Sequence, residues 1–114
     1  MSAVGPAALD RIFTALADPG RRAFVERLAA GPASVKELAA PTGIRLPSAL
    51  QHPRVLEEGG IVVSAKSGRT RTYAISPTAF GPVSDWIAAR RAVMNAAFDR
   101  LEAALAEFPE EKDE

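Results

Sequence analysis

Residues 34–58, SVKELAAPTGIRLPSALQHPRVLEE, constrain the fold most, because they predict two short helices joined by a tight turn. Ser34 is suited to cap the first helix, and Glu37, three residues later, completes a capping box. Gly43 predicts the end of this helix, since glycine most easily takes the left-handed conformation there. A second helix is predicted from about Leu46-Pro47, where proline is tolerated because its missing N–H falls in the first turn.

Two helices around a glycine-containing turn form a helix-turn-helix, which lays its second helix in the major groove of DNA. The periodicity then changes. Residues 61–66 and 70–75 are rich in β-branched side chains and flank Ser67-Gly68-Arg69, which predicts a β-hairpin. Arg69 and Arg71, two positions apart, share one face of it. A basic hairpin directly after a helix-turn-helix predicts a wing. The predicted fold is therefore a mainly α-helical winged helix-turn-helix domain over 1–108. The helix-turn-helix lies at about 34–58 and the wing at about 61–75.

The remaining segments predict further helices. Apolar spacing favours a first helix over about 6–17, and Asp18-Pro19 starts a second helix that runs to about residue 30. Ser76-Pro77 opens the last helical region, and Gly81-Pro82 is expected to break it, so that a long helix runs over about 83–108. The acidic residues 109–114 predict a disordered tail.

The long helix carries an apolar stripe at three- and four-residue spacing, interrupted by Arg91. Its members are Val83, Ile87, Met94, Phe98, Leu101, Leu105 and Phe108. Because the earlier helices supply apolar faces of their own, this stripe exceeds what one small core needs, and it favours packing against a second copy of the chain. The alternative is that the helix folds back on its own domain.

Composition narrows the class of function. The 114 residues contain no cysteine and one histidine, so neither disulfides nor thiolate metal sites can form. A cysteine nucleophile, a second histidine, a glycine-rich phosphate loop and an evident carboxylate pair are all missing, which argues against an enzyme. No apolar run approaches the ~20 residues that span a bilayer. The first residues lack the pattern of a secretory signal, so we expect a cytoplasmic protein with no membrane partner.

The distribution of charge is more informative than the net charge of zero. Residues 45–71 hold five basic and two acidic residues, whereas residues 107–114 hold one basic and five acidic residues. A basic middle beside an acidic end suits local contact with phosphates. Scattered, solvated charge is the alternative.

Several short motifs occur here in a familiar order. They are Ala15-Leu-Ala-Asp-Pro-Gly-Arg-Arg22, Glu37-Leu-Ala, Leu46-Pro-Ser, His52, Arg54-Val-Leu-Glu-Glu58, Gly60-Ile-Val and Gly68-Arg-Thr-Arg-Thr-Tyr73. Over about residues 9–76 the chain resembles the ArsR-type (ArsR/SmtB-like) winged helix-turn-helix repressors. The resemblance implies a homodimer that binds a palindromic operator in double-stranded DNA and pairs through its first and last helices. The interface residues that it implies are Leu9, Ile12, Phe13, Ile87, Met94, Phe98, Leu101 and Leu105.

The chain departs from the family pattern in three ways. Gly20 replaces a threonine, which we expect an exposed helix start to tolerate. The family's metal sites use cysteines or histidine–carboxylate pairs, so a chain with His52 alone is expected to bind no metal or other cofactor, and its effector is not identified. Pro53 replaces an apolar residue inside the recognition helix, at a cost of about 3 kcal/mol if that helix stays continuous. It therefore predicts a kink or a restart that weakens or re-aims DNA recognition.

The docking geometry of the motif predicts which side chains contact DNA. Ser48, Gln51 and His52 are expected to face base edges, and Gln51 could pair with adenine. The predicted phosphate, guanine or minor-groove contacts are Ser34, Lys36, Arg45, Arg54, Lys66, Arg69, Thr70 and Arg71. As alternatives, Gln51 and Ser48 could be merely solvated, and His52 could be a hydrogen-bonding surface residue.

Two aromatic side chains stand outside the predicted DNA contacts. Trp86 could line a ligand pocket, although a core or interface position is favoured, and Tyr73 is expected to pack within the hairpin.

The same fold is compatible with a second function. A dimeric interaction module would have this architecture too, with DNA binding weakened or lost because of Pro53.

Overall fold

The computed structural model describes residues 6–108, so the predicted tail over 109–114 lies outside the described residues. The chain forms two compact units that divide between Pro82 and Val83. Within residues 6–108, six α-helices and three strands occur in this order: α1 Pro6–Leu16, α2 Pro19–Leu28, β1 Ala33–Ser34, α3 Val35–Ala39, α4 Leu46–Ala49, α5 Gln51–Glu58, β2 Val62–Ser67, β3 Thr70–Ile75 and α6 Gly81–Ala106. A mainly helical chain with a small antiparallel sheet confirms the predicted fold class.

The start of α2 follows the prediction from Asp18-Pro19. The backbone N–H of Arg21 donates to Oδ2 of Asp18 at 3.1 Å, and Pro19 occupies the first helical position. Phe24 and Leu28 of α2 are buried. The largest fully buried side chains of the first unit are Phe24 in α2, Leu38 in α3, Pro53 and Leu56 in α5, Ile61 directly before β2, and Val62 in β2.

The first helix of the helix-turn-helix is also capped as predicted. The Oγ atom of Ser34 accepts a hydrogen bond from the N–H of Glu37, and Oε1 of Glu37 accepts one from the N–H of Ser34. The helix continues as a short 3-10 turn, Ala40–Thr42, and ends at Gly43, whose φ of 75° is left-handed.

The second helix of the motif is interrupted, as Pro53 predicted. Leu46–Ala49 and Gln51–Glu58 are separate helical segments joined by Leu50, which keeps right-handed helical angles of −64° and −21°. Pro53 is the third residue of the second segment, so its missing N–H falls in a first turn, where it needs no helical acceptor. Its ring is fully buried.

The wing forms as predicted, and its sheet contains a third strand that was not predicted. Strands β2 and β3 pair antiparallel from Val62 opposite Ile75 to Ser67 opposite Thr70. Gly68, at a φ of 62°, opens the two-residue loop. Ala33 and Ser34 pair with β3 to give the order β1-β3-β2. A strand of two residues is too short to show alternation of apolar and polar side chains, so β1 has no local sequence signal. Tyr73 is buried in β3, as expected.

The start of the last helix differs from the prediction. Residues 77–80 form turns, and the Oγ atom of Ser76 accepts a hydrogen bond from the N–H of Thr78. Helix α6 starts at Gly81. Gly81-Pro82 therefore opens the helix that it was expected to break, because a proline at the second position lacks only an N–H that would be unpaired in any case. No described helix is long and apolar enough to cross a membrane.

Candidate nucleic-acid interface

A groove between the helix-turn-helix and the wing brings together five of the predicted DNA-contacting residues. Ser34 and Lys36 line one side, and Arg69, Thr70 and Arg71 line the other. Val35, Leu50 and Tyr73 complete the lining. Three of these described lining residues are basic and none is acidic, so the groove suits an anionic partner.

The capping box fixes the wall of this groove at the start of α3. The N–H of Ser34 donates to Oε1 of Glu37 at 2.9 Å, and this bond is the main reason that the pKa of Glu37 lies below its ordinary value of 4.5. The hydroxyl of Ser34 accepts from the backbone of Glu37. Ser34 thus positions α3 in the groove, and its side chain is already engaged there.

Five other predicted contact residues have exposed side chains outside the lining of this groove. Arg45 precedes α4, and Ser48 belongs to it, while Gln51 and Arg54 belong to α5 and Lys66 to β2. The structure leaves these side chains accessible.

The prediction that His52 faces DNA is not supported by its position. Its side chain is 17% exposed, and its ring stands edge-on to Phe24 at 5.3 Å between centroids. Nε2 lies 3.8 Å from Oδ2 of Asp18. Within the described part of the chain, Nδ1 is buried without a hydrogen-bond partner. His52 therefore lies against α2, where it contacts the buried ring of Phe24.

The helix start at Gly20 is less exposed than expected. Gly20 is half-buried, and a Cβ atom placed on it would point at the ring of His52. The carboxylate of Asp18, beside Gly20, accepts a hydrogen bond from the backbone N–H of Arg21. This bond is the main reason that the pKa of Asp18 lies below its ordinary value of 3.8.

A side-chain network between the wing and α5 was not predicted. The guanidinium of Arg71 donates to Oγ of Ser64 at 2.9 Å, and that hydroxyl donates to Oε2 of Glu57 at 2.9 Å. The network depends on the register of β2 against β3 and on the distance from the sheet to α5, neither of which has a local sequence signal. Through Ser64, the carboxylate of Glu57 holds and partly offsets the charge of Arg71.

The residues that were expected at the dimer interface fall into two groups. In α1, Leu9 is half-buried and Phe13 is 44% exposed, but Ile12 is only 3% exposed and so belongs to the core of the chain itself. In α6 no residue is buried, and the exposed large apolar side chains include Ile87, Met94, Phe98, Leu101 and Leu105. Trp86 is exposed, and the guanidinium of Arg90 lies 5.1 Å from its ring centroid.

Metal ligands do not cluster in the part of the chain that the structure describes. Over residues 6–108, no group of three or more histidine, aspartate or glutamate side chains could hold an ion. The chemistry that the basic groove offers is the binding of phosphates by cations and backbone dipoles.

Comparisons with known proteins agree with this architecture. A family model described as a helix-turn-helix domain matches residues 16–65. The HTH-type transcriptional regulator Rv2034 of Mycobacterium tuberculosis is 45% identical over 69 residues, which are 60% of this chain and 64% of that protein. The chain therefore matches slightly less than two thirds of that regulator's length.

Two crystal structures are similar over most of the chain. The ArsR family transcriptional regulator RHA00566 has a TM-score of 0.76 and 44% identity, over 82% of this chain and 97% of its own. A possible transcriptional regulator for arsenical resistance has a TM-score of 0.60 and 32% identity, over 82% of this chain and 94% of its own.

The fold and the basic groove define a winged helix-turn-helix protein. RHA00566 is covered almost completely at an identity that far exceeds chance resemblance. The chain belongs to the ArsR family of transcriptional regulators.

Proposed function

We propose that the chain is a cytoplasmic, homodimeric, sequence-specific DNA-binding transcriptional regulator that represses its own or neighbouring genes. Residues 46–58 enter the major groove, and residues 66–71 of the wing contact the backbone or the minor groove. The partner is double-stranded DNA with a palindromic operator, since two-fold symmetry in the protein calls for two-fold symmetry in the site.

The basic groove is the observation that carries this proposal. Lys36 precedes the recognition region in sequence and Arg69 follows it, yet both side chains line one concave surface. Cations on either side of a recognition helix contact phosphates on either side of a DNA groove. Such contacts orient the protein on the duplex and supply a salt-dependent part of the affinity.

The exposed stripe of α6 supports the homodimer. Phe98, Leu101 and Leu105 are each more than half exposed in the single chain. Contiguous large apolar side chains of this kind mark interaction surfaces in soluble proteins. Residues at three- and four-residue spacing form the seam between two helices, so a second copy of α6 fits this stripe.

The position of Pro53 favours DNA binding over the competing interaction module. That alternative depended on the cost of a proline inside a continuous helix. Because Pro53 lies in the first turn of α5, that cost is not incurred. Residues 51–58 can therefore be presented as an ordinary helical segment.

The proposal is tested by selecting duplexes from a randomised 30-base-pair library with the full chain. We expect enrichment of a two-fold symmetric site whose half-sites lie about one helical turn apart, bound by two protomers. Sedimentation of the selected complex gives the stoichiometry. Failure to enrich any sequence would contradict DNA recognition, and an asymmetric site bound by one protomer would contradict the dimer.

The repressor role needs its own measurement. A reporter placed behind the promoter nearest to the gene should lose expression when the chain is produced and regain it when the chain is removed. A rise in expression on production of the chain would instead indicate an activator.

A further inference from the structure

Leu50 is a large apolar residue among the residues that line the groove. It joins α4 to α5 and is 51% exposed, although its backbone N–H is bonded to the carbonyl oxygen of Leu46 at 3.0 Å. Its side chain lines the groove beside those of Lys36, Arg69 and Arg71. A half-exposed leucine adds nothing to a site that binds only phosphate.

The surroundings of Leu50 define what can cover it. Its occupant must be anionic enough to satisfy three cations and must still present an aliphatic surface between them. An apolar protein segment would leave the cations unpaired, and a phosphate would leave the leucine in contact with charge. The major groove of DNA meets both requirements, because phosphates flank it and the C5-methyl group of thymine is the aliphatic group on its base edges.

We propose that Leu50 is a specificity-determining residue that packs on the C5-methyl group of a thymine in each half-site. This inference rests on the proposed function, since it requires the groove to hold duplex DNA. It extends that function from general binding to the identity of one base. The polar candidates Ser48 and Gln51 then act beside an apolar contact, and the operator half-site contains a thymine that cytosine cannot replace.

The test removes only the methyl group. The duplex selected from the randomised library is synthesised with 2′-deoxyuridine in place of each thymine in turn, and binding is measured by fluorescence anisotropy with wild-type chain. One substitution per half-site should weaken binding about fourfold, the value expected for one buried methyl group. The other substitutions should have smaller effects.

Two variants link the methyl group to Leu50. Leu50→Ala should weaken binding to the duplex that carries thymine by a similar factor. At the position where deoxyuridine weakens binding of the wild type, the same base change should not weaken binding of Leu50→Ala any further. Val63→Ala is the matched control, because Val63 is a half-exposed aliphatic residue outside the groove lining. It should discriminate thymine from deoxyuridine as the wild type does. Thermal unfolding of each variant verifies folding.

The outcomes separate this inference from the proposed function. If a site is selected but every thymine can be replaced without loss, Leu50 does not contact a methyl group and the inference is overturned. The same follows if Leu50→Ala keeps the full discrimination. If no duplex is selected, the proposed function fails first, and the thymine contact fails with it.

Discussion

A Cβ atom placed on Gly20 would lie 2.8 Å from Nε2 of His52 and 3.0 Å from Oδ2 of Asp18. The absence of a side chain at the start of α2 therefore provides the space that the imidazole of α5 occupies. The ring stands edge-on to Phe24, which is 1% exposed, so one side of it is packed against the core. Gly20 and His52 thus form one contact between α2 and the recognition region.

Threonine at position 20 should destabilise the chain. Gly20→Thr forces its side chain against the ring of His52, and overpacking of this kind costs about 1–3 kcal/mol. Urea denaturation measures the free energy of unfolding. The double variant Gly20→Thr/His52→Ala should recover most of the loss, because the second change vacates the space.

A matched glycine provides the control for this prediction. A Cβ on Gly81 would meet nothing within 4 Å, so Gly81→Ala should not destabilise the chain. If Gly20→Thr alone leaves the free energy of unfolding unchanged, the contact with His52 is not tight. If the double variant is no more stable than the single one, His52 is not the residue that threonine meets.

Acid should destabilise the chain through its two helix caps. The pKa values of Asp18 and Glu37 lie below their ordinary values of 3.8 and 4.5, mainly because backbone N–H groups donate to the carboxylates. A carboxyl with a lowered pKa in the folded state stabilises that state above the unfolded-state pKa, and the contribution is lost as pH falls through the folded-state pKa. We expect stability to fall from about pH 5 downward.

The variant Asp18→Asn/Glu37→Gln keeps side chains that can cap but cannot ionise. Its free energy of unfolding, measured by urea at several pH values, should fall less steeply below about pH 5 than that of the wild type. Equal slopes in the two proteins would show that other groups govern acid unfolding.

Glu57 should weaken DNA binding by holding Arg71 through Ser64. Glu57→Gln removes the negative charge while it keeps an acceptor for the hydroxyl of Ser64. We expect affinity for the selected duplex to rise about two- to fivefold at low salt, the range typical of a partly exposed charge interaction. Glu58→Gln changes the net charge equally at an exposed position for which the structure gives no contact with Ser64. An equal gain in Glu58→Gln would attribute the effect to net charge.

The apolar stripe of α6 should hold two chains together. The wild type should sediment at twice 12.0 kDa at micromolar concentration. Phe98→Asp places a charge on the stripe and should give a monomer with much weaker operator binding. Ala96 is exposed on the opposite face by helical periodicity, so Ala96→Asp should remain dimeric. A wild-type monomer, or a dimeric Phe98→Asp variant, would contradict the proposed interface.

The elements with strong local signals were predictable from the sequence. The capping box of Ser34 and Glu37, the cap at Asp18 and the left-handed Gly43 depend on residues within one or two turns. The interruption at Pro53 was also predictable, since it follows from the missing N–H of one residue.

The features that escaped prediction depend on tertiary contacts. β1 is two residues long and exists only through its pairing with β3. His52 was assigned to the DNA-facing surface because it is a polar residue early in the recognition helix, and its contact with Gly20 joins distant parts of the chain. The link from Arg71 to Glu57 requires the register of the hairpin, and the place of Leu50 in the groove was missed because only polar side chains were considered.

The salt dependence of operator binding, measured for wild type, Arg69→Gln and Arg100→Gln, tests the central claim most directly. If Lys36 and Arg69 of both protomers contact phosphates, the plot of log K against log salt should have a slope of about −4 or steeper. Arg69→Gln removes two of these contacts per dimer and should make the slope less negative by about 2, whereas Arg100→Gln in α6 should leave it unchanged. A wild-type slope near zero, or equal shifts in the two variants, would contradict the account.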